Sequence, residues 1–456
     1  MPPGYHAPVR LLRSRDFRLL VVSNGLSSLG DELALVALTI KVFDISHSGI
    51  AVSAVLLAGI VPLVVFSPLA GSIVDRTEST GTLAIASAIQ AGLAVGLAFV
   101  HPVWAIVALS FLLGSVASVA SPAVFAIMPM AVEEEDLTEA NANMETARYV
   151  GMVAGPIIAG GLAAATGKSD AALLVDAITF LVITSAAASL TIRRPPQPTE
   201  QGGRPKGEAR SGFSFLARDR VLLIAVVAIA ATVLFAAMDN VAEVFFARNV
   251  LDAGNWGYGA LAAAWLAGMA VGAALIARRL PEDRLAPAIL VASLAGGVAV
   301  AIAAALPAIV LALSMFAVGG VANGVVTVSM RSLLHHRVPD QLRGRVFSAY
   351  FGVVMAGQLG ATALGGVLVA VLHSRVVLLI GGLGGAAAGL IGLALFAALP
   401  SSARASNIVV VPETGLVERR LLVVRDITPP ENMAEDVVVD ATNERVEVLP
   451  SVEPSS

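Results

Sequence analysis

The sequence predicts an all-α membrane protein with twelve transmembrane helices in two pseudo-symmetric six-helix bundles. Two observations establish the membrane class: hydrophobic residues make up 57% of the 456-residue chain, and charged residues make up only 14%. Soluble domains usually carry about 25% charged residues, so the composition excludes a water-soluble globule. A third observation predicts the two bundles, because one polar stretch inside the chain divides the apolar segments into two equal sets.

Twelve apolar segments are each long enough to cross a bilayer, which takes roughly 20 residues. Charge, glycine or proline separates each segment from the next. The predicted spans are residues 19–41, 50–73, 82–100, 103–127, 138–165, 171–191, 221–247, 257–277, 287–306, 308–331, 346–371 and 376–399.

The polar stretch 193–220 separates the first six spans from the last six. It is rich in proline, glycine and charge, a composition that neither spans a membrane nor builds a core. RDFRLLV at 15–21 resembles RDRVLLI at 218–224, and this similarity indicates an internal duplication. The predicted organisation is an amino-terminal segment 1–18, a first bundle 19–192, a linker 193–220, a second bundle 221–400 and a tail 401–456.

The distribution of Lys and Arg predicts the orientation. One set of loops and termini holds nineteen of these residues, whereas the opposite loops hold only Lys41, Lys168, Arg248 and Arg375. By the positive-inside rule the richer side is cytoplasmic, so we expect both termini inside the cell membrane. The tail holds ten acidic and five basic residues. We expect it to be mostly disordered, and docking to a protein partner is the alternative interpretation of the same segment.

Two motifs carry a family resemblance. Gly71, Asp75 and Arg76 form G-x-x-x-D-R after the second span, which resembles the motif of that loop in the major facilitator superfamily. The family pattern continues with Gly and two basic residues, whereas this chain has Glu78, Ser79 and Thr80. In span five, a glycine-rich pattern is similar to the antiporter signature of exporters in that superfamily; its residues are Gly151, Gly155, Pro156, Gly160 and Gly161.

Further stretches resemble the branch that contains the enterobactin exporter and macrolide efflux proteins. They are SSLGDELA in the first span, PMAVEEEDLTEANA before span five and VPDQLRGRVFS before span eleven. The resemblance implies a two-bundle fold that works by alternating access and proton-driven export. It also implies a cytoplasmic gate in which Asp75 meets Arg343 and Arg345 at the start of span eleven. The duplication predicts a mirrored contact, with Glu134 and Asp136 facing Arg278 and Arg279.

Charged side chains inside the predicted spans are candidate functional groups, because burying a charge in a bilayer costs several kcal/mol. Asn24, Ser27, Ser28 and Asp31 follow helical spacing and form a polar stripe on one face of the first helix, which predicts the wall of a substrate cavity.

Asp31 and Arg148 lie at comparable predicted depth, since each is ten to twelve residues into its span. We expect them to form a proton-coupling centre with Glu145. The alternative is a permanent Glu145–Arg148 pair that only holds span five.

Further acidic residues in the predicted spans include Glu32, Asp176, Asp239 and Glu243. Asp239 and Glu243 are one turn apart in span seven. Their position there is consistent with either of two alternatives, a wet outer rim or a functional site. Asp176, near the outer end of span six, is expected to lie at the rim.

No hydrolytic, phosphate-binding or metal-binding motif occurs in the spans, so we expect no enzyme, cofactor or metal, and no nucleic acid as a partner. The predicted function is secondary active transport, in which a small amphipathic compound such as a drug or siderophore-like molecule leaves in exchange for protons. Two alternatives stay open: import of a nutrient or metabolite by the same fold, and a transport-inactive anchor that presents the acidic tail.

Overall fold

The computed structural model describes residues 11–193 and 208–400, apart from the side chains of residues 67, 68, 71, 75, 208–210 and 278. We call these two ranges the first half and the second half. Residues 1–10 of the predicted amino-terminal segment, residues 194–207 of the linker and the whole acidic tail 401–456 lie outside the described residues. Within the two halves every regular element is a helix and no strand occurs.

The first half contains seven α-helices. They are α1 (Arg15–Ser46), α2 (Gly49–Val65), α3 (Ser67–Arg76), α4 (Ser79–Phe99), α5 (Val103–Ile127), α6 (Leu137–Thr166) and α7 (Asp170–Ser189). The second half contains eight more. They are α8 (Glu208–Arg218), α9 (Arg220–Ala236), α10 (Asp239–Asn249), α11 (Gly254–Val271), α12 (Leu285–Ala305), α13 (Ile309–Arg337), α14 (Asp340–Val371) and α15 (Ser374–Ala397).

Ten helical stretches of the two halves are long and apolar enough to cross a membrane by length and composition. The first two predicted spans are not among them. α1 is 32 residues long but carries Asp, Glu, Lys and Arg side chains, and α2 has only 17 residues before it breaks at Phe66 and continues as α3. Each predicted span overlaps one helix or a consecutive pair, and the count of twelve crossings stays a prediction.

Some helices extend well beyond the apolar runs that predicted them. α13 continues to Arg337 and α14 begins at Asp340, whereas the spans were predicted to end at 331 and to begin at 346. Hydropathy marks only the part of a helix that suits lipid, so the polar ends of long helices escape it. The predicted span seven is broken at Ala237 and Met238, where one helix ends and α10 begins.

The helices of each half pack in a corresponding pattern. In the first half α1 packs against α6 and α7, and α4 packs against α5 and α7. In the second half α9 packs against α14 and α15, and α12 packs against α13 and α15. Each pair in one half thus has its counterpart at the same point of the other, which agrees with the similarity between residues 15–21 and 218–224.

Most contacts between the two halves lie along two helix pairs, α2 with α14 and α6 with α11. The Ser53 hydroxyl donates a hydrogen bond to the Thr362 carbonyl at 2.8 Å. A Cβ atom added to Gly160 would lie 2.8 Å from the Asn255 carbonyl oxygen. These contacts involve the start of α2, the end of α14, the second part of α6 and the first part of α11. We call this end of the molecule, opposite the linker, the closed end.

Candidate functional site

A cavity of about 230 Å³ lies inside the first half, between α1 and α4–α7; we call it the first cavity. Its polar lining comes mostly from one face of α1. All four residues of the predicted stripe lie on its wall: Asn24, Ser27, Ser28 and Asp31. Ser87 and Gln90 of α4 and Arg148 of α6 complete a hydrogen-bonding surface. Such a lining is suited to water or a polar ligand group inside an otherwise apolar helix bundle.

The stripe is not uniform in its contacts. The Asn24 side chain is buried and donates a hydrogen bond from Nδ2 to the Met144 carbonyl at 2.8 Å, so it also joins α1 to α6. The Ser28 hydroxyl donates back to the Asn24 carbonyl at 3.0 Å. The Asp31 side chain, in contrast, is exposed to the cavity. Asp31 is therefore the carboxyl group of the stripe that a ligand or a proton can reach.

The three residues of the predicted coupling centre are only partly joined. Arg148 donates from Nη2 and Nε to Glu145 Oε2 at 2.7 and 3.1 Å, one turn away on α6. Within the described chain no hydrogen bond links Arg148 to Asp31, although both line the first cavity. Glu32, to which the sequence alone assigned no role, lines the same cavity as Asp31 and Arg148. Its position in the sequence, next to Asp31 and one helical turn after Ser28, could have predicted that it lines this cavity.

The span-five glycines face different neighbours. A Cβ atom at Gly151 would collide with the Gly25 carbonyl of α1, and one at Gly155 would lie 2.7 Å from the Leu29 carbonyl oxygen. Gly160 instead faces α11, and Gly161 has nothing within 4 Å. Small residues permit this close backbone approach. Two members of the motif thus let α6 pack closely against α1, and a third lies between the halves.

The predicted gate residues lie at the end of the molecule opposite the closed end. Gly71, Asp75 and Arg278 belong to helices, but their side chains are outside the described part of the structure. Arg343 pairs with Asp340 on its own helix, with 2.5 Å between Nη2 and Oδ1. Among the described side chains, Glu134 and Asp136 form no ion pair with Arg279. The contact of Asp75 with Arg343 and Arg345 involves a side chain outside the described part of the structure, so it stays a prediction.

Glu78 explains one departure from the family pattern in that loop. Its carboxylate accepts hydrogen bonds from the Thr80 and Gly81 backbone amides at 3.2 and 2.9 Å, which caps the start of α4. An acidic residue at a helix N-terminus satisfies unpaired amides and complements the helix dipole. The glycine at this position of the family pattern has no side chain that could accept these bonds, so Glu78 has a local structural role.

The expectation that Asp176 lies at a wet outer rim is wrong. Its side chain is completely buried, and Asp176 Oδ1 accepts a 3.4 Å hydrogen bond from Thr179. Six residues earlier, Asp170 begins α7 and pairs with Lys41 at 2.8 Å, so Asp170 occupies the outer end. At 1.5 Å per residue, Asp176 lies about 9 Å deeper along the helix.

A second cavity of about 370 Å³ lies between the halves; we call it the central cavity. Asp239 and Glu243 line its wall, as does Glu32 from the first half. Of the two readings left open for Asp239 and Glu243, the structure therefore favours a position on a cavity over an outer rim. Glu32 lines both cavities and so connects the polar surfaces of the two.

A helical membrane protein with polar cavities within and between two similarly packed halves has the architecture of a transporter. Comparison with known families agrees, since the family model described as Major Facilitator Superfamily matches residues 20–361. The chain belongs to the major facilitator superfamily. Family and fold are those of multi-pass membrane transporters, which are not enzymes.

Relatives extend this assignment without narrowing it to the exporter branch. The chain is 23% identical over 360 residues to the uncharacterised MFS-type transporter YfiS of Bacillus subtilis, covering 76% of this chain and 85% of that one. The nucleoside transporter NupG aligns with a TM-score of 0.68 at 12% identity, over 84% of this chain and 99% of that chain. The POT family transporter PepTSo aligns with a TM-score of 0.65 at 13% identity, over 84% and 98%. At these identities the solved structures are similar in fold alone.

Proposed function

We propose that this protein is a secondary active transporter that exports a small amphipathic compound in exchange for protons. It has twelve spans in two bundles, both termini are cytoplasmic, and it works by alternating access. The observation that supports the proposal best is Asp31, a carboxyl group within a membrane helix whose side chain is exposed to the first cavity. Ionisable groups at such positions are costly and typically lie on substrate or proton pathways.

Alternating access is supported by how the halves touch. Their contacts are concentrated on two helix pairs at the closed end, and several use small residues such as Gly49, Gly160 and Gly259. Rocking of one half against the other separates these surfaces without unfolding either half. The gate residues at the other end, Asp75 with Arg343 and Arg345, would then form the contacts of the opposite conformation.

Proton coupling is assigned to Asp31, Arg148 and Glu145. In the present conformation Glu145 neutralises Arg148, and Asp31 is left facing the first cavity. Movement of Asp31 relative to the Arg148 guanidinium changes its affinity for a proton, because a nearby cation and a dry environment act oppositely on a carboxyl group. Proton release and substrate binding can alternate in this way, which antiport requires.

The test is transport by the purified full-length protein in proteoliposomes, with candidate compounds first selected by efflux from a susceptible bacterial host. An imposed pH gradient should drive substrate movement against its own gradient, in the direction opposite to the protons. Substrate movement in the same direction as the protons would establish import instead. Absence of transport for every compound that the protein protects against would favour the role of a membrane anchor for the tail.

A further inference from the structure

The ionisable groups on the described wall of the central cavity are all acidic. Glu32 of α1 and Asp239 and Glu243 of α10 are on its wall, and none of its described lining residues is Lys, Arg or His. All three acids belong to helices that we assign to the membrane, where an uncompensated charge costs several kcal/mol. The cavity therefore offers acidic groups and no basic group to its occupant.

The protein itself leaves part of this charge unsatisfied. Asp239 Oδ1 and Glu243 Oε1 are buried and accept no hydrogen bond among the described residues. Arg148, the basic residue of the proposed coupling centre, pairs with Glu145 and lines the first cavity, not the central one. Buried carboxylates normally have a hydrogen-bond or charge partner. A proton or a cationic ligand would supply the partner that the described residues do not.

The remainder of the wall suits an organic cation better than a metal ion. Trp265 and Phe316 lie edge to face with 6.2 Å between ring centroids, and Tyr258 is buried beside them. Aromatic faces attract ammonium and similar cations and also bury an apolar body. Within the described residues no cluster of three or more His, Cys, Asp or Glu groups has the geometry to hold a metal ion.

The size of the cavity also agrees with a small organic molecule. Its volume of about 370 Å³ is within the range of small-molecule sites, about 300–1,000 Å³. Asn323 and Gln358 supply amide groups for orientation. Few polar groups on a mostly apolar wall are the usual arrangement of a ligand pocket.

We propose that the central cavity is a binding site for organic cations, with the positive centre against Asp239 and Glu243 and the apolar body against Trp265. The site is separate from the polar stripe of the first cavity. Its biological role rests on the proposed transport function, for which it defines the substrate class as cationic amphipathic compounds.

The experiment is equilibrium binding of radiolabelled methyltriphenylphosphonium to the purified full-length protein. Triphenylphosphine oxide is the matched competitor, because it has the same three rings but no net charge. We expect saturable binding that unlabelled cation displaces and the neutral oxide does not. No saturable binding, or equal displacement by the oxide, would overturn the proposal without requiring any variant.

Variants then locate the site. Asp239→Asn and Glu243→Gln should each weaken cation binding roughly 10-fold or more, since each removes one partner of a buried charge pair. Asp176→Asn, a buried membrane acid that does not line the central cavity, is the matched control and should leave affinity unchanged. Thermal unfolding of each variant reports whether it is folded. Unchanged affinity in folded Asp239→Asn and Glu243→Gln proteins would place the cation elsewhere and refute the assignment.

Binding and transport can fail separately. Selective cation binding that depends on Asp239 and Glu243, without transport in proteoliposomes, would overturn the proposed function and leave the binding site standing. Transport of a neutral compound by a protein that does not bind the phosphonium cation would overturn the binding site and leave the proposed transport function standing.

Discussion

Arg248 and Asp44 form an ion pair across the two halves of the protein, with 2.8 Å between Arg248 Nη1 and Asp44 Oδ1. The same guanidinium donates to Asn255 Oδ1 at 2.6 Å and lies 4.8 Å from the centroid of the Phe43 ring. Arg248 belongs to α10 and Asp44 to α1, so the pair lies at the closed end and must break when the halves separate there.

Removing this ion pair should shift the protein toward opening of the closed end. Asp44→Asn is expected to change the equilibrium by about 0.5–1 kcal/mol, the usual contribution of a partly exposed ion pair. The chain contains no cysteine, so spin labels can be attached at Ile50→Cys and Val371→Cys, which are exposed sites on α2 and α14. A larger population of long label distances is the expected result.

Asp170→Asn is the matched control for this prediction. It breaks the 2.8 Å ion pair with Lys41, which lies within the first half. The distance distribution between the labels should then stay as in the unsubstituted protein. A shift in the control but not in Asp44→Asn would contradict the role given to Arg248.

Asp75→Asn should act at the opposite end. If Asp75 holds the conformation in which that end is closed, its neutralisation favours the present conformation by about 1–3 kcal/mol, the usual size of conformational coupling. Labels at Glu135→Cys and Asp283→Cys, both exposed, report the separation of the halves there. If the label distances in Asp75→Asn match those of the unsubstituted protein, under conditions that favour either conformation, Asp75 is not part of a gate.

Asp31→Asn should separate coupling from binding. An amide in place of the exposed carboxyl group cannot exchange protons, so efflux driven by a pH gradient should fall to background while downhill exchange of labelled substrate persists. Counterflow and pH-driven transport in the same proteoliposomes provide the two measurements. Full pH-driven efflux by the variant would leave the Glu145–Arg148 pair with only a structural role.

Gly160 and Gly161 offer a comparison of adjacent residues. A side chain at Gly160 meets the Asn255 carbonyl and Gly259 of the other half, whereas Gly161 has open space. Gly160→Val should therefore destabilise the closed end by about 1–3 kcal/mol, as overpacking does, and lengthen the distances between the labels on α2 and α14. Gly161→Val should have no effect. Equal behaviour of the two variants would exclude a specific α6–α11 contact.

Helix positions and the polar stripe follow from local chemistry and were therefore predictable. Apolar runs of sufficient length predicted the helices, and a spacing of three and four residues placed Ser27, Ser28 and Asp31 on one face of α1. That face does line a cavity. The break before Asp239 was not predicted, because no proline or glycine adjoins it and a hydropathy average runs through it unchanged.

The amino-acid sequence by itself determined the membrane class, the approximate helix bounds and which side chains are charged, since each depends on residue type and local spacing. Only the tertiary structure decided which partners these charges have. Arg148 pairs with Glu145 and not Asp31, Asp176 is buried, and Glu32 joins Asp239 and Glu243 around one cavity. Helical periodicity gives the face of a helix on which a residue lies, but the identity of the facing helix depends on packing between segments far apart in the chain.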